Sequence, residues 1–498
     1  MTVVYEINTL VWLGELSGRY GRPVTLGDVP GEAWDEIARP GVDTVWLMGV
    51  WERSPAGLAL ALRDPGLLAS FRAALPDLTE ADLAGSPYCV RDYVVDTRLG
   101  GPDGLAEARA QLAARGRKVI VDHVPNHVAP DHPWTADRPG CLIQGTPDDL
   151  AHAPDAYLEA AGHVYARGRD PYFPPWPDVV QLNAFSAELR DAAVETLIAI
   201  GDQADGVRCD MAMLMTNEVF ARTWGERAGA VPAEDFWPYV IPRVRARHPD
   251  MLFLAEAYWD MEYLLQQQGF DHAYDKRLYD RLVHEDAEQV RAHLRADLGY
   301  QRGLVRFVEN HDEPRAASAL PGDRERAAAV TVATLPGATL WHEGQFEGRR
   351  VHLPVFLARR PAEPPDEDLR AFHQRLLEAA AAVRRGEWHL LETTGRPDND
   401  THRSLLAWSW TAADARHLVV VNHGAHQAQG RVHLPWDDLR GAGRLLTDLL
   451  TGQSYDRDGD ELADAGLFVD LPAWQAHVLT VPVPDPDPDT LRTAAVTA

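Results

Sequence analysis

DGLAEARAQLAARGRKVIVDHV, residues 103–124, carries the pattern that decides the fold. Asp103 is a candidate N-cap, Leu105, Ala108, Leu112 and Ala113 recur at helical spacing, and Gly116 ends the run. KVIVDHV (118–124) then reads as a nearly continuous apolar strand, the signature of a parallel strand buried on both faces. Upstream, VDTVWLMGV (42–50) is another such strand. Downstream the unit recurs: Ser186 caps a helix carrying Leu189, Val194, Leu197 and Ile198, and residues 206–210 follow as a strand. MLFLAE (251–256), residues 304–308 and residues 338–341 continue the series. Strands alternating with helices predict parallel pairing, and their number and span fit a closed eight-stranded α/β barrel, the (β/α)8 TIM barrel.

Two regions break the alternation. Residues 128–185 are rich in proline, glycine, aspartate and aromatics and are too long for an ordinary βα loop, so they are expected to form an inserted B subdomain. From residue 387 the pattern changes to short strands, 405–410 and 417–422 among them, which predicts a C-terminal antiparallel β-sandwich domain. The expected organisation is a discontinuous barrel over 1–127 and 186–386, the insert 128–185, a β domain 387–483, and a disordered proline-acidic tail 484–498.

The composition narrows the function. Among 498 residues, 75 acidic against 48 basic side chains give a formal charge of −27, which disfavours nucleic acid and anionic membrane surfaces and suits a neutral ligand. No stretch is long and apolar enough to span a bilayer, and the first ten residues do not read as a secretion signal, so a cytoplasmic protein is expected. Cys89, Cys141 and Cys209 have neither zinc-site nor disulfide spacing. The pattern carries no signal for the oligomeric state.

Four segments place polar groups at strand ends, where such a barrel builds its active site: VDHVPNH (121–127), DGVRCD (205–210), FLAEAYW (253–259) and FVENHDEPR (307–315). Residues two apart share a strand face, so Arg208 and Asp210 both project into the barrel mouth while Cys209 turns into the wall. A guanidinium beside a carboxylate keeps it ionised and aimed, as a nucleophile requires. Glu256, between an apolar strand and Ala257, Tyr258 and Trp259, is set to be protonated, as a general acid requires. Two carboxylates of opposed character are the requirement of retaining glycosidic cleavage, and Asp312 can supply a third.

In this order the four segments resemble the signature regions of the α-amylase family, glycoside hydrolase family 13, and the likeness extends over residues 4–480. SPYCVRDYVVDTRLGG (86–101) and TLPGATLWHEGQ (334–345) belong to it. The resemblance implies Asp210 as nucleophile, Glu256 as acid/base and Asp312 as transition-state stabiliser, with Arg208 positioning Asp210. It implies His127 and His311 as hydrogen-bonding partners of the sugar in the cleavage subsite and Tyr88 as the ring beneath it. Beside the resemblance, Tyr258 and Trp259 lie next to the acid in sequence, and one of them is expected to face the substrate. No organic cofactor is implied. Departures from the family pattern at Met213, Leu214 and Gln181, with Asn126 retained, lead to the expectation of no metal site.

The resulting expectation is a retaining α-glycoside hydrolase acting on α-glucans, maltooligosaccharides or related α-glucosides. The alternatives are a transglycosylase or isomerase on the same scaffold and, with less support, a non-enzymatic carbohydrate-binding member. His123, His127 and His132 lack an HExxH or cysteine partner and do not read as zinc ligands. Residues 456–461 read as a hairpin turn rather than a calcium loop. Tyr172, Phe173 and Trp176 are expected chiefly to pack the insert, with sugar stacking the other reading.

Overall fold

A computed structural model describes residues 2–483, and the expected tail 484–498 lies outside the described residues. Eight parallel strands close a barrel: β1 (Val3–Asn8), β2 (Thr44–Met48), β3 (Lys118–His123), β4 (Gly206–Cys209), β5 (Leu252–Ala255), β6 (His272–Tyr274), β7 (Leu304–Arg306) and β8 (Ala338–His342). Each pairs with its sequence neighbours, and β8 closes on β1 with Glu6 opposite His342.

Period-two alternation separates two cores. Val4, Trp46, Ile120, Leu254, Tyr274, Val305 and Leu340 fill the barrel interior. Their chain neighbours Val45, Val121, Val207, Phe253 and Ala273 face the helical shell. Cys209 is buried in that outer layer, as its parity required.

Two barrel strands escaped the sequence reading. β6 has three residues, too few to show a period, and β1 lies in a stretch read only for targeting signals. The helix before β3 spans Gly101–Ala114 and is capped by Gly100, at a left-handed φ of 105°, rather than by Asp103. Pro102 starts that helix without needing an N–H partner, and Asp103 sits in its first turn, where a negative charge meets the positive end of the helix dipole. Ser186 caps the Ala187–Gln203 helix as expected, accepting from the Leu189 N–H.

Between β3 and the Ala187–Gln203 helix lies a small layer of its own. Tyr157–Ala160 and His163–Ala166 form a hairpin, and His127–Val128 pairs antiparallel with Val180–Gln181 at the barrel rim. Beyond the Glu367–Val383 helix, a six-stranded antiparallel sheet faces a three-stranded one. Along Leu405–Thr411, Leu405 and Ala407 point into the space between the sheets, while Leu406, Trp408 and Trp410 pack against the barrel. Trp410 also donates its indole N–H to the Thr334 carbonyl at 2.7 Å. Residues 456–461 correct the hairpin reading: the strand Ser454–Asp458 runs directly into the helix Gly459–Asp464, with Asp458 as the cap accepting from the Glu461 N–H. No helix among the described residues is long and apolar enough to cross a membrane.

Candidate active site

Strand β4 ends in Arg208, Cys209 and Asp210, and the inward pair meets the carboxylates of two other loops. Arg208 is fully buried. Its Nη1 donates to Asp210 Oδ1 at 2.6 Å, and its Nη2 lies 2.8 Å from Glu256 Oε2 and 3.8 Å from Asp312 Oδ2. The Glu256 approach is an ion contact without hydrogen-bond alignment, since Nη2 has no aligned acceptor. One guanidinium thus gathers three acids that lie 46 and 56 residues apart in the chain. Its carbon sits 5.2, 5.3 and 5.8 Å from the ring centres of Tyr88, Trp46 and Tyr274, an aromatic collar that excludes water from the charge.

The three acids differ in setting. The Glu256 side chain is 3% exposed, Asp210 10% and Asp312 41%. Glu256 is pushed up to about 7, first by burial, with Arg208 pulling against it and Asp210 and Asp312 adding to the rise. Its Oε2 accepts the Met211 N–H at 2.6 Å and its Oε1 accepts the Tyr258 hydroxyl at 3.1 Å, which fixes the carboxyl plane. Met211 presents that N–H from a left-handed turn with φ 42°, uncommon for a residue with a side chain and costing of order 1–3 kcal/mol. Burial also raises Asp312, but His311 and then Arg208 outweigh it and hold the carboxyl below the usual range. Site chemistry needs one proton donor and one carboxylate that stays charged, and this cluster contains both.

The remaining expected residues lie around this cluster. Tyr88 stacks on His311 with ring centres 5.3 Å apart, its hydroxyl 2.8 Å from His311 Nε2 and donating to Asp122 Oδ1 at 3.4 Å. His127 lies 3.2 Å through Nε2 from the Tyr88 carbonyl and packs against Trp176; burial lowers its pKa. Tyr258 touches Glu256, whereas Trp259 sits further out, edge-on to Tyr172 at 4.8 Å. The insert's aromatic cluster divides. Trp176 packs with Cys89, Ala129 and Val179, but Tyr172 and Phe173 are exposed, so packing accounts for Trp176 alone.

Several groups in the site were not singled out from sequence. Asp122, inside VDHVPNH, is fully buried, pushed up to about 6 by burial, and accepts the Gly49 N–H at 2.8 Å. Gly49 is left-handed (φ 76°), and a Cβ there would stand 2.7 Å from Pro87, so no larger residue brings its N–H to Asp122. Parity with Arg208, its register partner, was the available signal. Glu6 and Trp46, also inward-facing, had only their parity in β1 and β2.

A structural calcium does not fit the residues around Asn126. The Gln181 amide nitrogen is 2.9 Å from each of three carbonyl oxygens, the Asn126 main chain, the Asn126 side chain and Leu182. The oxygens that a cation would collect are taken by an N–H donor. No group of three or more metal-ligating side chains occurs among the described residues.

A closed parallel barrel with an acid cluster on a shared arginine at the strand ends defines the class, and relatives define it further. A scan against protein-family models finds no match. The chain is 25% identical over 94% of its length to the α-amylase MalA of Haloarcula japonica. It is 28% identical over 54% to an α-1,4-glucan:maltose-1-phosphate maltosyltransferase of Burkholderia pseudomallei. It spans 61% and 21% of the lengths of those relatives. Among solved structures, the maltogenic α-amylase AmyB of Thermotoga neapolitana superposes with a TM-score of 0.67 at 18% identity, covering 97% of this chain and 99% of that one. The acarbose-complexed α-amylase of Geobacillus thermoleovorans gives 0.66 at 17%, with the same coverage. These relatives and structural neighbours point to the α-amylase family, glycoside hydrolase family 13, with which the chain shares its fold.

Proposed function

We propose that the protein is a retaining α-glycosidase acting on α-glucans, maltooligosaccharides or related α-glucosides. The observation that carries this reading is the sharing of Arg208 by Asp210 and Glu256, with Glu256 buried and raised to about 7. Two carboxylates held by the two ends of one guanidinium can approach to the spacing of about 5–5.5 Å that retention requires, which supports this reading. Asp210 attacks the anomeric carbon as the bond to the glycosidic oxygen breaks, and the Glu256 proton passes to that oxygen. Glu256, now a carboxylate, takes a proton from water or a second sugar, whose oxygen displaces Asp210 and restores the α-configuration. Asp312, kept charged by His311, accepts from sugar hydroxyls and faces the developing positive charge. Tyr88 forms the floor, His127 and His311 border the same sugar, and Tyr258 and Trp259 line the way out. No cofactor and no metal take part in these steps.

Transglycosylation is the second reading, supported by the similarity to maltosyltransferases and by the exposed Tyr172 beside Trp259, which suits an acceptor sugar. A non-enzymatic role fits poorly with three retained acids. The division at 127/128, 185/186 and 386/387 is part of the proposal, with the insert forming one wall of the cleft. A cytoplasmic setting fits three buried, unpaired cysteines.

The deciding experiment supplies α-glucosides of different linkage and length and reads the first-formed anomer by proton NMR. An initial α-anomer is expected; an initial β-anomer overturns retention, and no turnover of any α-glucoside overturns the function. Chromatography of early maltotetraose products separates hydrolysis from transfer, because transfer gives longer chains.

A further inference from the structure

Glu6 is an anomaly of the barrel interior. It is fully buried, level with Trp46 of β2 and His342 of β8, and its carboxylate is hydrogen-bonded through Oε1 to His311 Nδ1. Its other oxygen, Oε2, has no partner among the described residues. A carboxylate this buried is expensive to keep ionised unless a positive charge stands against it, and the contact it makes is to an imidazole. The opposite edge of that imidazole reaches the cluster, with Nε2 3.1 Å from Asp312 Oδ2 and 2.8 Å from the Tyr88 hydroxyl.

We propose that Glu6 is a positioning residue that holds His311 as an imidazolium and aims its second N–H at Asp312 and Tyr88. This rests on the functional reading above, in which Asp312 binds sugar hydroxyls. The charged ring sits between two acids, one sealed in the barrel and one open to the substrate, and cannot turn without breaking both contacts. Trp46 closes its flank edge-on, with ring centres 5.4 Å apart, and His352 Nε2 lies 2.8 Å from the His311 carbonyl, which fixes the backbone. Burial works against the charged imidazole, but Asp312 and Glu6 outweigh it and push His311 well above the ordinary histidine range. The other groups facing this assembly do not reverse the sign. Arg208 is paired with Asp210, Asp122 lies behind Tyr88, and His342 is driven neutral by burial.

Nitrogen-15 NMR of histidine-labelled protein tests this without any turnover, His311 being assigned by the signal lost in His311→Gln. Both ring nitrogens are expected to carry protons at pH 7 and to remain so at pH 8; a neutral His311 at pH 7 overturns the inference whether or not sugars are cleaved. In Glu6→Gln the amide oxygen can still accept from Nδ1 but the charge is gone, so His311 is expected to titrate at lower pH. Turnover should then fall about tenfold or more in kcat with a much smaller change in KM. The wild-type pH profile with normal His311 titration in that variant overturns the inference. Failure of the wild-type protein to cleave any α-glucoside, with His311 doubly protonated, removes the functional reading and leaves the Glu6–His311 pair standing.

Discussion

At the scale of single residues, the strand-end cluster gives chemically similar acids different surroundings. Asp210 and Glu256 share a cation, but only Glu256 is sealed on all sides, and desolvation favours its protonated form. In the proposed mechanism Asp210→Asn removes the nucleophile while preserving its shape; kcat is expected to drop at least about 10³-fold, or about 4 kcal/mol, with the melting temperature little changed. Wild-type rates in that variant would end the assignment. Glu256 carries its proton below about 7 and loses it above, so kcat/KM on a maltooligosaccharide should fall as pH rises through that value. Glu256→Gln should abolish this alkaline limb and spare an aryl α-glucoside with a good leaving group; equal losses on both substrates would refute the acid role.

At the scale of elements, the short ladder between His127–Val128 and Val180–Gln181 ties the insert to the barrel rim, and Gln181 is its knot. Gln181→Glu replaces the donor with a charge facing three carbonyl oxygens, which should cost about 3 kcal/mol and show in calorimetry as a lower melting temperature. Millimolar calcium is expected to restore part of the loss in that variant by taking the amide's seat, whereas a chelator leaves the natural protein unchanged. A chelator-induced fall in the natural protein would contradict the fit drawn here. The helices and longer strands were legible because each repeats its period several times; Ser186 capping and the 405–411 strand needed nothing beyond local chemistry. β6 was not legible because three residues carry no period, and Gly100 displaced Asp103 as a cap because the turn before the helix requires a left-handed residue.

At the scale of the whole molecule, a formal charge of −27 makes the folded state repel itself. Raising ionic strength from about 0.01 to about 0.15 M shortens the screening length from about 30 to about 8 Å, so the melting temperature should climb by several degrees over that range. A flat or falling curve would mean that the acidic groups are already compensated locally, as Asp82 and Asp149 are by Arg359 and Arg227.

The sequence by itself determined the barrel and the antiparallel sheets that follow it, and it singled out Asp210, Glu256 and Asp312 as candidates, because strand alternation and strand-end chemistry are written in neighbouring residues. The tertiary structure alone decided which groups those acids meet. Arg208 serves three loops at once, and Glu6 reaches His311 across 305 positions of chain. Such pairings follow from ring closure and strand register, and no local pattern encodes a contact made only when the first strand comes to lie beside the last.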